Sequence, residues 1–480
     1  MKFEHKLSSH TPHTPHTLPF HITLRSKKMA QILFVRGRVV TVFKTLGTLL
    51  LLLIVFPVSL TFVLASLLWN LINTPFQKKV TPAKNAKNIL LTGAKMTKAL
   101  QLARSFHAAG HRVFLVESHK YWLSGHRFSN AVEGFYTVPA PQKDPEGYCQ
   151  ALLDIVKKEN IDVFIPVSSP VSSYYSSLAK PLLAPHCEVL HFDADITEML
   201  DNKYSFCQKA RALGLSAPKV FLITDRQQIL DFDFLADGSK YILKSISYDS
   251  VTRLDLTKFP FEGMESYLKK LPISKEKPWV MQEFIKGQEY CTHSTVRKGK
   301  IRLHCCSKSS AFQVNYEQVD NPKIYAWVEH FVKELNLSGQ ISFDFIQTED
   351  GSVYPIECNP RTHTAITMFY NHPGLANAYL KDGESKNDRP IAPLENSLPT
   401  YWTYHELWRL TGIKSWGELV GWVNKIRKGT DAIFQLSDPL PFLAVHYWQI
   451  PLLLLNNMRQ LKGWVKIDFN IGKLVEVGGD

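Results

Sequence analysis

Three residues in the stretch "YPIECNPRTH" (354–363) are chemically out of place. Glu357, Asn359 and Arg361 stand at alternate positions in a run that otherwise reads as a buried strand. Alternate residues of a strand share one face. Thirteen positions before Glu357, Asp344 sits in a second strand-like run, "QISFDF". Between the two runs, Asp350 and Gly351 read as the turn of a hairpin. Folding there brings Asp344, Glu357 and Asn359 to one side. Two carboxylates and an amide are the oxygen donors that suit Mg2+, an ion that also binds substrate phosphates; Mn2+ accepts the same set. Arg361 can meet a phosphate or a developing negative charge. Burying such residues without partners would cost roughly several kcal/mol, so a bound cation gives a physical reason for them. The plainer alternative is an exposed face with a surface ion pair between Glu357 and Arg361.

The elements that must position these residues are legible upstream. From residue 196, "TEMLDNKYSFCQKARALGLSAPKVFLIT" reads as helix then strand and holds Lys203. "KYILKSISYDS" reads as a strand that ends at Lys244, with a hydroxyl-rich loop after it. "WVMQEFIKGQEYCTHSTVRKGKIRLHCC" supplies a strand, a linker and a hairpin turning at Lys298 and Gly299. Before residue 196, runs such as "NILLTG", "RVFLVES" and "DVFIPVSS" alternate with amphipathic helices, the pattern of a doubly wound parallel sheet. Gly93 ends the first of these strands, but no GxGxxG follows it, so an NAD-linked oxidoreductase is weakly supported. "SSPVSSYYSS" falls where a sheet's carboxyl edge is expected, yet without a GxSxG a nucleophilic serine is disfavoured. His107 and His111 have metal-like spacing, but Gly110 between them spoils the helical face.

Charge is unevenly spread. The formal net charge is +13, but residues 1–87 carry 12 of the 56 Lys/Arg and only one of the 43 Asp/Glu. The remainder is nearly neutral, which argues against a nucleic-acid reader. The seven cysteines are scattered with no CxxC, which fits reduced thiols rather than a disulfide framework or zinc site. Between Lys44 and Lys78 no residue is charged, a span (45–77) long enough for a membrane helix. Pro57 near its middle would either kink a spanning helix or mark a hairpin in one leaflet. Basic residues flank both ends, so the charge bias sets no orientation. Residues 1–28 read as a disordered Ser/Thr/Pro/His tail, with Met29 an alternative start. Residues 376–400 read as a linker. The Trp-rich end (401–480) contains "PLPFLAVHYWQIPLLLLNNM", too short to span, which reads as a core helix in preference to an interfacial one.

Taken together, "ILK", "LDNK", "QEFIKGQEY" and "FDF…ECNPR" resemble the ATP-grasp superfamily, over residues 196–375, and residues 85–195 resemble the α/β domain that precedes it there. The resemblance implies a fold class of α/β and α+β: a Rossmann-like pre-ATP-grasp domain, then the ATP-grasp fold, with the N-terminal membrane segment (29–84) ahead of both and a C-terminal region (376–480) behind. It implies ATP and Mg2+ as cofactors. Lys203 and Lys244 would bind the nucleotide's phosphates. The backbone of Glu283, Phe284 and Ile285 would take adenine, and Glu289 ribose. Asp344, Glu357 and Asn359 would ligate the metal, and Glu357, Asn359 and Arg361 would act on the transferred group. His363, Thr364 and His293 would touch substrate, with structural hydrogen bonding as the alternative for His363 and strand packing for His293. One departure stands out. The loop after Lys244 is glycine-rich in the family and has no glycine here, so Ser245, Ser247, Ser250 or Arg253 would have to cover the phosphates.

"LLTGAKMTKALQLARSFHAAGHRVFLVESHKYW", "AFQVNYEQVDNPKI", "IECNPRTHTAITMFYNHPG" and "LKGWVKIDFNIGKLVE" resemble, more narrowly, the cyanobacterial mycosporine-glycine synthases. That resemblance implies an ATP-dependent ligase joining glycine to 4-deoxygadusol, a cyclohexenone. The catalytic domain would lie in the cytoplasm at a membrane. A carboxylate–amine ligase working through an acyl phosphate and an inactive, membrane-tethered nucleotide-binding protein are the rival readings.

Overall fold

The computed structural model describes residues 21–73, 80–167, 170–246, 255–309, 315–380 and 389–476, with side chains from residue 40 onward except at 170 and 171. Most of the proposed tail, Lys78 and Lys79, and the candidate phosphate-covering residues Ser247, Ser250 and Arg253 lie outside the described residues.

Five short strands form a parallel sheet: β1 (Asn88–Thr92), β2 (Arg112–Ser118), β3 (Gly134–Val138), β4 (Val163–Ile165) and β5 (Glu188–Val189), in spatial order β3-β2-β1-β4-β5. Their apolar runs do not alternate because both faces are covered. Leu90 packs against Val156 and Leu152 on one side while Leu91 joins the opposite core. Helices α2 (Thr97–Ala108), α3 (Pro145–Lys158) and α4 (Pro170–Leu183) supply the cover. The first helix, α1 (His21–Asn73), precedes this layer.

Two antiparallel sheets follow. The smaller is ordered β6-β8-β7, from β6 (Val220–Ile223), β7 (Tyr241–Ser245) and β8 (Trp279–Glu283). The larger is ordered β10-β9-β11-β12, from β9 (Gln288–Arg297), β10 (Lys300–Lys308), β11 (Gly339–Gln347) and β12 (Val353–Asn359). The β9–β10 hairpin turns at Lys298 and Gly299, both with positive φ, as a tight two-residue turn requires. Helices α5 (Ala194–Asp201) and α6 (Lys203–Ala212) lead in, and α7 (Pro322–Glu334) lies on the larger sheet. On α7, Ile324, Trp327, Val328, Phe331 and Val332 are buried at helical spacing. Trp327 meets Phe343 and Phe345 of β11, each at 5.3 Å between ring centroids. Because Phe343 and Phe345 are fixed in this core, Asp344 between them faces the other way.

α1 runs unbroken through Pro57, so the alternative of a hairpin within one leaflet is not what forms. A proline removes one helical hydrogen bond and crowds the carbonyl four residues back, and the helix continues past it. Its part Val40–Asn73 is long and apolar enough to cross a membrane. Along its length it meets the C-terminal region. Lys44 Nζ donates to the carbonyl oxygens of Trp464 and Val465, Tyr447 Oη to Ser59 Oγ at 2.9 Å, and Asn70 Nδ2 to the Leu436 carbonyl. The apolar run at 440–459 is helical throughout and buries Phe442, Val445, Ile450 and Leu454. Asp438 ties this region to the parallel-sheet domain through Arg104 Nε at 2.8 Å and Ser129 Oγ at 2.6 Å.

Candidate active site

The β11–β12 pair brings the metal candidates together. Asp344 and Glu357 are direct cross-strand partners, and Asn359 pairs with Ser342 two positions along. A register shift just after Asp344 keeps Phe345 in the core while the opposite strand advances. On β12, Cys358 is buried in the core, which sends Glu357 and Asn359 to the site face. Asn359 is buried as well.

Two cations flank these groups, one from distant sequence and one from just beyond β12. Lys203 Nζ donates to Glu357 Oε1 at 2.8 Å. It is the first residue of α6, held there by Asn202, whose Oδ1 caps the N–H groups of Tyr204 and Ser205. Arg361 Nη1 lies 3.5 Å from Asp201 Oδ1. The plain alternative, an ion pair between Glu357 and Arg361, is not what forms: each carboxylate or guanidinium has a partner from the 201–203 segment instead. Asp201 escaped sequence reading, although its place two residues before Lys203 was the available signal.

Burial, then the neighbouring Glu357 and Glu289 carboxylates, push the Asp344 carboxyl up to about 8. Burial lowers Lys203, but the Glu357 carboxylate outweighs it, and the amine sits above its ordinary range. An acid crowded by two others relaxes if a divalent cation joins it. The described residues hold no cluster of three His, Cys, Asp or Glu; the candidate donors are two carboxylates and one amide. That is a hard-oxygen set, fitting Mg2+ bridged to phosphates rather than a softer ion.

The remaining candidates are more dispersed. Lys244, on β7 of the smaller sheet, donates to the Asp255 carbonyl oxygen at 3.3 Å. Ser245 ends the same strand. Glu289, the second residue of β9, lies opposite Ile346 and accepts from Ser309 Oγ at 3.1 Å. The adenine candidates divide. The Glu283 N–H already serves the Lys219 carbonyl, and the Phe284 N–H the Lys240 carbonyl at 2.7 Å. Ladder bonding therefore takes two of the three backbone donors and leaves that of Ile285. The Glu283 carboxylate is occupied too, by the Lys219 N–H and Ser239 Oγ. Phe284 carries Lys258 over its ring at 3.9 Å.

His363 and His293 meet directly: the His363 N–H donates to His293 Nδ1 at 3.3 Å. His363 Nδ1 also accepts from the Ala365 N–H, which caps a short helix containing Thr364. Burial, followed by Lys98 and Arg361, lowers His363 to about 3. The parallel-sheet domain reaches this corner in two places that sequence reading missed. Lys98 Nζ donates to the Thr362 carbonyl, and Ser173 Oγ to the Pro360 carbonyl at 2.9 Å.

Residues 200–365 match the family model of the ATP-grasp domain. This is the ATP-grasp fold. The match contains Lys203, Lys244, both sheets and the whole of the β11–β12 hairpin, and it bears out the fold expected from the motifs. No curated protein matches the chain. Among solved structures, an L-amino acid ligase from Bacillus licheniformis is similar at 15% identity and a TM-score of 0.44, over 58% of this chain and 68% of that one. An N5-carboxyaminoimidazole synthetase from Staphylococcus aureus, complexed with ADP, is similar at 12% identity and a TM-score of 0.46, over 61% and 74%. At that distance neither says anything of substrate.

Proposed function

We propose that the chain is an ATP-dependent ligase that forms a C–N bond. The observation that carries this reading is the facing pair Asp344 and Glu357, with Lys203 and Arg361 beside it, inside the segment that matches the ATP-grasp domain. In this reading Asp344, Glu357 and Asn359 hold Mg2+, which supplies charge neutralisation for the ATP phosphates. Lys203 and Lys244 bind those phosphates, and Lys203 leaves Glu357 as they arrive. Arg361, steadied by Asp201, stabilises charge on the transferred phosphoryl group. Such catalysis is mostly positioning and electrostatics.

For substrates we infer glycine and 4-deoxygadusol, on the strength of the four segments that resemble the mycosporine-glycine synthases. The γ-phosphoryl passes to the enol oxygen of the ring. The glycine amine then adds at that carbon and loses a proton, and phosphate leaves with the oxygen. ADP, phosphate and mycosporine-glycine result. The apolar helix Val40–Asn73 would hold the enzyme at a membrane, with the ATP site on the cytoplasmic side.

The test is ADP release by the full chain in detergent, with MgATP and 4-deoxygadusol, with and without glycine. Release that requires the cyclohexenone and rises with glycine supports the proposal. ATP binding without any acceptor-dependent turnover removes the substrate assignment. If carboxylic acids stimulate release and hydroxylamine traps a hydroxamate, the acyl-phosphate chemistry replaces it.

A further inference from the structure

Beside the candidate active site lies a buried group of hydrogen-bond donors with fewer acceptors than donors among the described residues. Lys98, in the first turn of α2, is buried and has three N–H donors, of which one meets the Thr362 carbonyl. No carboxylate pairs with it among the described residues, and the charges that act on it, Arg361 and Lys95, are both positive. Lys95 has its own partner, Glu117 at 3.1 Å. His293, fully buried on β9, accepts the His363 N–H on Nδ1, so its neutral ring carries the proton on Nε2. Among the described residues that Nε2–H has no partner, nor has the buried Thr362 hydroxyl. His293 and His363 both lie within the field of Lys98. Burial, then Arg361 and Lys95, draws the Lys98 amine well below the ordinary lysine range, as befits a cation with no anion at hand.

We propose that Lys98, Thr362 and His293 form a subsite for the carboxylate of the amino-acid substrate, at the seam between the parallel-sheet domain and the four-stranded sheet. A carboxylate is acceptor-only and offers about four lone-pair sites, enough for the two free Lys98 N–H groups, the Nε2–H and the hydroxyl. Arg361, His363 and Thr364 connect the subsite to the metal candidates within five residues of Asn359. An amino acid held here by its carboxylate keeps its amine free to react. The inference rests on the ligase reading only for which molecule brings the carboxylate. It also gives the parallel-sheet domain a direct share in substrate choice, through one lysine.

The probes are glycine, its neutral analogue glycinamide, and inorganic phosphate, titrated calorimetrically against the full chain saturated with MgADP. The proteins are wild type, Lys98→Met and His293→Gln. The expected result is that wild type binds glycine and not glycinamide. Lys98→Met should weaken glycine about 10- to 100-fold, the worth of a charge-assisted hydrogen bond, with MgADP affinity unchanged. His293→Gln, which keeps a donor, should weaken glycine less than Lys98→Met does. Lys98→Met removes an unpaired buried charge, so its melting temperature should hold or rise. If it unfolds instead, the lysine is structural and the proposal falls. Equal binding of glycine and glycinamide, wild-type glycine affinity in Lys98→Met, or absence of glycine binding to wild type each overturns it. So does a Lys98-dependent site that takes phosphate and not glycine. If glycine binding needs Lys98 while no protein couples ADP release to glycine and 4-deoxygadusol, the subsite stands and the ligase reading fails. If Lys98→Met turns over with an unaltered glycine KM, the ligase reading stands and the subsite falls.

Discussion

Lys203 Nζ lies 2.8 Å from Glu357 Oε1, so the first residue of a helix holds a strand carboxylate 154 positions away in sequence. The pair closes the site with opposite charges that a nucleotide and its cation would each claim. Glu357→Gln should therefore do two things: weaken the metal site and release Lys203. The kcat for ADP release should fall by about 100-fold or more, as when a group stabilising transition-state charge is lost. Circular dichroism should be unchanged, because the Glu357 side chain is 39% exposed. Activity within about twofold of wild type would remove Glu357 from the mechanism, since losses that small correspond to peripheral contacts.

Arg361 and Asp201 should separate as actor and support. Arg361→Ala is expected to lower kcat by about 100-fold with little change in the KM for MgATP. Asp201→Asn keeps the shape and removes the charge that steadies Arg361 at 3.5 Å. Its kcat should drop by only about tenfold, the scale of a positioning loss. Steady-state kinetics of both variants decide the matter: if Asp201→Asn is the more damaging, the order of roles is reversed.

Gly287 lies in the linker between the two antiparallel sheets, where a Cβ would strike the carbonyl of Gln347 at the end of β11. Gly287→Ala would push against the Gln347 backbone and the Ile346 side chain. It should lose about 1–3 kcal/mol of stability, as overpacked sites do, and raise the KM for MgATP because the displaced linker carries Ile285. A melting temperature equal to wild type would show that the two sheets adjust freely at this joint.

Acid should unfold the protein earlier than its carboxylates alone would. His126, His191 and His304 are buried, and burial is the leading cause that lowers each to about 4. An unfolded histidine titrates near 6.5, so the unfolded chain takes up protons first as the pH falls. The stability these rings contribute is complete above about 6.5 and is lost progressively toward 4, by on the order of 2 kcal/mol apiece at pH 5. Denaturant midpoints at pH 7, 6 and 5 measure this. A His126→Gln variant, which keeps a donor near the Ala94 carbonyl, should show a shallower fall.

The local patterns that specify the site were strong. "FDF" states its own orientation, because two phenylalanines that must be buried force the aspartate between them to the opposite face. The turns at Lys298–Gly299 and at Gly351 follow from glycines that accept positive φ. The candidate adenine segment shows what sequence does not carry: a backbone N–H looks free until its ladder partner is known, and those of Glu283 and Phe284 are taken. Pro57 reads as a break, yet a helix with partners along its length absorbs one missing hydrogen bond.

By itself the sequence determined which residues could do the chemistry, and that Asp344, Glu357 and Asn359 share one side of one hairpin, since strand period and turn chemistry act over a few residues. Only the tertiary structure decided which charges meet. Arg361 faces Asp201 rather than Glu357, Lys203 crosses to Glu357, and Lys98 from another domain enters the corner beside His293. Ion pairing falls off within a few ångströms and depends on burial, so it is settled by how whole elements pack and not by the spacing of residues along the chain.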